Sequence, residues 1–140
     1  MSTPKQYLNS MTVTTVQDLA ALWSSVLADG GFGRRSLHVL ILDDEGRPAP
    51  VVVPIDDIPE VPTAAEIDGF GRLLEHLEGF GTPVLLLSRP GPSAVMEPDR
   101  QWARALQRLT PRWPVHLGTE DAFGRGVITS LSHATDARDV

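Results

Sequence analysis

The spacing of apolar residues changes several times along this chain, and each change predicts an element. Val16, Leu19, Ala20, Trp23, Val26 and Leu27 recur at three- and four-residue intervals, the period of one helix face. Thr14 or Thr15 is placed to cap that helix, and Gly30-Gly31 to stop it. Ser36–Leu42 then alternates apolar on both faces, with Leu37, Val39 and Ile41 on one and His38, Leu40 and Leu42 on the other. A run of that kind predicts a strand covered from both sides. Asp43-Asp44-Glu45-Gly46 predicts a turn, with glycine where positive φ is required. Val51–Val53 predicts the return strand of a hairpin, and Pro54, Pro59 and Pro62 predict irregular chain after it.

Thr63 to Leu77 reads as a second helix with Ile67, Phe70, Leu74 and Leu77 on one face. Gly79–Gly81 ends it, and Val84–Leu87 follows as a third strand at the centre of the sheet. Pro98 suits the first position of a third helix, whose apolar face is Trp102, Ala105, Leu106 and Leu109. Pro114–Leu117 and Val127–Leu131 predict two more strands, the last at a sheet edge. The order α-β-β-α-β-α-β-(β) predicts one α/β domain over residues 13–131, with helices packed on a mixed central sheet. Polar, aperiodic ends (1–12 and 132–140) are expected to be flexible.

Composition narrows the chemistry. A net charge of −6 opposes general nucleic-acid binding, which needs a basic surface to neutralise phosphates. The absence of cysteine removes disulfides, thiolate nucleophiles and cysteine-held zinc together. No apolar run reaches membrane-spanning length, and the first ten residues lack the apolar stretch of a signal peptide. The expected setting is therefore cytoplasmic, with no membrane contact.

The candidate groups are sparse. His38, His76, His116 and His133 show none of the close pairings that hold zinc. His38 and His116 fall in predicted strands and are expected to be structurally satisfied. His76 lies opposite the apolar face of its helix, and His133 lies in the tail. The acidic groups Asp43-Asp44-Glu45, Asp56-Asp57 with Glu60, and Glu120-Asp121 read as turns and surface crossings, without a calcium-loop pattern. Ser88 follows the central strand but lies in no G-x-S-x-G context. Gly30-Gly31-Phe32-Gly33 and Gly69-Phe70-Gly71 match no phosphate loop, although Arg34-Arg35 after the first could meet an anion. Arg100, Arg104 and Arg108 recur every four residues, continued by Arg112, on the side of the third helix away from its apolar face.

LILDDEGRPAPVVVP followed by a helix and TPVLLLSRPGPSAVMEPDRQWARAL resembles the RadC branch of the JAB/MPN metallopeptidase-like fold over about residues 36–118. In that family the strand corresponding to Val84–Leu87 ends in H-x-H-P. Leu87 and Arg89 stand at the two histidine positions, Pro90 matches the proline, and Asp99 matches the family aspartate across a one-residue gap. Glu60 and Glu66 are the nearest candidates for the catalytic acid. The resemblance implies a metal-free member, since an aliphatic side chain and a cation replace two imidazole ligands. DLAALWSSVLADGGFGRRSLHVLIL and VVVPIDD are also similar in style to uncharacterised small α/β proteins of high-GC bacteria, a likeness that implies no activity. A deaminase-like layout shares the element order but lacks P-C-x-x-C, which excludes zinc deamination.

The expectation is a non-enzymatic interaction or regulatory module, with no catalytic residues, metal or cofactor and with a protein as partner. Homo-oligomer formation is compatible with it. The partner-binding residues would be Ser88, Arg89, Ser93, Arg100 and Arg104. The alternative is a small-molecule or nucleotide-binding protein using the 88–93 loop as an anion site.

Overall fold

The computed structural model describes residues 11–28, 32–49 and 52–131. Residues 1–10 and 132–140 of the expected flexible ends, the Gly30-Gly31 stop, Val51 and His133 lie outside these ranges. The elements run α1 (Val16–Val26), β1 (Ser36–Leu42), β2 (Val53–Asp56), α2 (Ala64–Leu77) with a 3-10 turn over Glu78–Phe80, β3 (Thr82–Ser88), α3 (Glu97–Leu109), β4 (His116–Glu120) and β5 (Gly126–Ser130). The five strands form one mixed sheet in the order β2-β1-β3-β4-β5, antiparallel except between β3 and β4. Three helices pack on that sheet in a single α/β domain.

Alternation along the two central strands sends half of each to either side. Leu40, Leu42, Val84 and Leu86 meet Leu19, Leu22, Trp23 and Leu27 of the α1 layer. Leu37, Val39, Leu85 and Leu87 meet Leu74 of α2 with Trp102, Ala103 and Leu106 of α3. Every residue of β1 is buried, as a strand covered on both faces must be. The central position predicted for Val84–Leu87 is the one β3 occupies.

Local chemistry sets the element ends. Thr15 caps α1: its hydroxyl accepts the Asp18 N–H at 3.0 Å, and the Asp18 carboxylate accepts the Thr15 N–H at 3.1 Å, a reciprocal capping box. Both hairpins use one turn. Asp43 N–H donates to the Arg47 carbonyl at 2.8 Å while Asp43 Oδ1 accepts the N–H groups of Glu45 and Arg47. Asp121 repeats these bonds with Arg125, Phe123 and Arg125. The shared pattern D-x-x-G-R carries its glycine at φ 85 in Gly46 and φ 80 in Gly124. At Gly46 a side chain is doubly excluded, because a Cβ would also strike the Val13 carbonyl.

Four sequence expectations are corrected. β2 begins at Val53 and continues through Pro54, where irregular chain was expected. The carbonyls of Arg35 and Ile41 both point toward the β2 side, so Val53 and Ile55 take the bonding positions and Pro54 faces the open edge, where it owes no N–H. α1 also buries Leu22, which lay off the expected stripe. On α3 the buried face is Asp99, Trp102, Ala103 and Leu106, while Ala105 and Leu109 are only half-buried. Pro98 occupies the second helical position instead of the first. Trp102 orients this helix, its indole N–H donating to the carbonyls of Pro59 and Glu60 at 3.1 and 3.0 Å.

Leu86 is fully buried in the middle strand. Leu86→Ala should lower the unfolding free energy by about 2–5 kcal/mol in chemical denaturation.

Candidate binding site

β3 ends in Ser88-Arg89, and Arg89 turns inward. Its side chain is 3% exposed, against 1% for the side chain of Asp99 in the first turn of α3. Nε donates to Asp99 Oδ1 at 2.8 Å and one terminal nitrogen donates to Oδ2 at 2.7 Å. The remaining N–H groups reach the carbonyls of Pro90, Pro92 and Ala94 at 3.1, 2.8 and 3.0 Å. A guanidinium has five N–H donors, and all are used here. Asp99 also accepts the Met96 N–H at 2.8 Å, closing the helix start. Burial disfavours the charged Asp99 carboxylate, but the Arg89 and Met96 hydrogen bonds and the Arg89 and Arg35 charges hold its pKa below the ordinary value. The binding role expected of Arg89 therefore gives way to a structural one: no donor remains for an external anion. Arg35, half-buried, lies 3.9 Å from Asp99, so two guanidinium groups share one carboxylate.

Above this clamp, Pro90 to Ala94 is exposed, including the expected contact residue Ser93. Gly91, at φ 101, makes the bend possible. The loop is thus presented outward and pinned from below at three carbonyls. Ser88 is fully buried and does not join that surface.

Ser88 instead belongs to a polar row on the α1 face of the sheet. Ser36 and Ser88 are direct partners across the β1–β3 pair, and His38 lies one step diagonal on the same face. His38 Nε2 and Ser88 Oγ are 2.9 Å apart, and Ser36 donates to Asp56 Oδ1 at 2.8 Å. Burial lowers the His38 pKa, with Asp56 partly opposing it, which favours a neutral ring. A serine beside a neutral imidazole has the makings of a nucleophile–base pair. Ser36 and Ser88 are at most 1% exposed and His38 is 8% exposed, so the pair is sealed from substrate. No local pattern pairs Ser88 with a base, because the two residues are 50 positions apart; only the antiparallel register joins them.

The arginine row behaves as its spacing predicts. Arg100, Arg104, Arg108 and Arg112 are all exposed. Arg100 and Arg104 share Glu97 at 3.7 and 3.5 Å. The described cavities open at the other end of β3, away from the clamp. One of about 240 Å³ is floored by Pro83, Leu109 and Pro111, and one of about 410 Å³ lies between Asp44, Glu45 and Trp113; Thr82 and Arg112 line both. Among the described residues no three His, Asp or Glu side chains converge as a metal set, and the Leu87 and Arg89 side chains at the resembled ligand positions are, respectively, core packing and a buried cation. No described helix is long and apolar enough to cross a membrane. No protein-family model, curated protein or solved structure matches this chain.

Two outcomes follow from these buried groups. Asp99→Ala strands the Arg89 charge and should cost about 3–5 kcal/mol in urea denaturation, with the 90–94 loop losing protease resistance. His116, on β4, is 1% exposed, and among the described residues neither ring nitrogen meets a partner in good hydrogen-bond geometry. Burial pushes its pKa from 6.5 to about 4, against a smaller opposing effect of the Pro114 backbone. The unfolded chain therefore takes the proton first. The stability from this site is complete above pH 6.5 and is lost as pH falls from there toward about 4. His116→Leu should flatten that part of the stability–pH curve, leaving the smaller slope that His38 contributes in the same direction.

Proposed function

We propose that this protein is a non-enzymatic interaction module of the cytoplasm, whose docking surface is the Pro90–Ala94 loop with the arginine row of α3. The observation that carries this reading is the Arg89 clamp. It spends a buried guanidinium on holding an exposed loop in one shape, and that loop contains no acid, base or strong nucleophile beyond Ser93. A loop ordered before it meets a partner loses less entropy on binding. Arg100, Arg104 and Arg108 continue the surface with cationic heads, so an acidic protein face is the complementary partner, while the net charge of −6 works against a DNA duplex. On the RadC-type resemblance, the module is a metal-free relative in which the strand end that would hold ligands is filled by Arg89 and Asp99.

The pairing of two guanidinium groups with Asp99 favours a second reading. Arg35 leaves a positive charge in excess beside the Asp99 carboxylate, which suits a small anion. In that reading Arg35 replaces Arg89 as the contacting cation.

Fluorescence anisotropy separates these readings. A labelled poly-glutamate peptide should bind in a salt-sensitive manner, and Arg100→Glu, Arg104→Glu and Arg108→Glu combined should reduce that binding by roughly tenfold or more with the fold intact. Tighter binding of a DNA duplex under the same salt would overturn the partner class. Thermal stabilisation by inorganic phosphate, lost in Arg35→Gln, would favour the small-anion reading.

A further inference from the structure

Among the described residues the sheet has two edges, and they are built differently. At the β2 edge, Pro54 and Asp56 occupy the outward positions, and Asp57 follows at φ 62. A missing donor, a carboxylate and a kinked backbone are devices that stop another strand from pairing. β5 carries none of them. No Asp, Glu, Lys, Arg or Pro occurs from Gly126 through Thr135, and the strand itself is Gly-Val-Ile-Thr-Ser, with three β-branched residues in succession.

The direction of its backbone groups follows from the register. Leu131 donates to the Val115 carbonyl and Asp121 to that of Arg125, so the odd-numbered residues of this hairpin bond inward to β4. Gly126, Ile128 and Ser130 accordingly present their N–H and C=O groups to the open edge. Val127 and Thr129 hold half-buried side chains on one face of the edge, and Ile128 packs into the α1-side core on the other.

We propose that this edge pairs with the β5 edge of a second copy of the chain, antiparallel about a two-fold axis at Ile128. The sequence is self-complementary in that register. Gly126 faces Ser130 of the second copy, Ile128 faces its own counterpart, and Val127 faces Thr129. Each outward N–H meets an outward C=O, and no charge is brought against another. Closed two-fold symmetry uses the edge once on each copy and leaves no template for further growth. The guarded β2 edge then forms the limit of the joined sheet at both ends. This inference rests on β5 alone and is independent of the α3 docking surface.

The test is sedimentation velocity on the full chain from about 1 to 100 µM, joined to amide hydrogen exchange. The wild type should sediment as a dimer at the upper concentrations, with the amides of Ile128 and Ser130 protected in a concentration-dependent way. Ser130→Pro removes one outward donor without touching the bonds to β4, and Thr129→Lys puts a charge at the joint. Each should weaken dimerisation by more than about tenfold while far-UV dichroism stays unchanged. A chain that remains monomeric at 100 µM overturns the proposal. Protection of these amides in that monomer would assign the edge to residues 132–140 instead. A dimer insensitive to both substitutions would place the interface elsewhere and overturn it equally.

Discussion

A guanidinium taken out of water must find an acceptor for each of its N–H groups, and that requirement organises one whole end of this molecule. Arg89 leaves the central strand pointing inward and binds one carboxylate and three carbonyls. The carboxylate belongs to the first turn of α3, and the carbonyls belong to the loop between. Strand end, loop and helix start are therefore held to one point. The same Asp99 accepts the N–H of Met96, which caps the helix, and neighbours Arg35 just before β1, so the clamp also ties two adjacent strands. The arrangement is worth less in net stability than its bond count suggests, since desolvating both ions offsets most of the attraction. Its consequence is geometric: a loop rich in proline and glycine is given one shape.

That constraint changes how the strand end is read. In open α/β sheets the crevice beyond the strand ends is the usual ligand position. Here it is filled from within, and the two cavities described lie at the start of β3, around Thr82 and Arg112. The serine and histidine that meet at 2.9 Å on the other face are likewise enclosed. What reaches solvent near the clamp is the outer side of the Pro90–Ala94 loop and a row of arginine heads. These are groups suited to contact, as the proposed interaction module requires.

The contrast between the two sheet edges adds a second level of organisation. One edge is chemically discouraged from pairing and the other is left uncharged and regular. Edge strands of the second kind are hazardous unless covered. The proposed self-pairing would cover β5 with the one partner present wherever the chain is, and would leave the α3 surface free for another.

Much of the architecture was legible in the chain itself because periodicity is a local property. The seven-residue run Ser36–Leu42, apolar on both faces, could only be a strand between two layers, and the Val84–Leu87 run belonged beside it. Capping threonines, the Gly46 turn and the four-residue arginine spacing needed no knowledge of the fold. The boundaries that moved did so through tertiary bonding: Pro54 is admitted to a strand because it lies on the outer edge, where its missing N–H is not needed. Functional groups were far less legible. Arg89 read as a cation at a strand end, and nothing local reveals that Asp99 and three carbonyls would enclose it. Ser88 and His38 are 50 residues apart and become neighbours only through register. Side-chain spacing decides which face a residue takes, whereas burial and partnership depend on what the rest of the chain brings to that face.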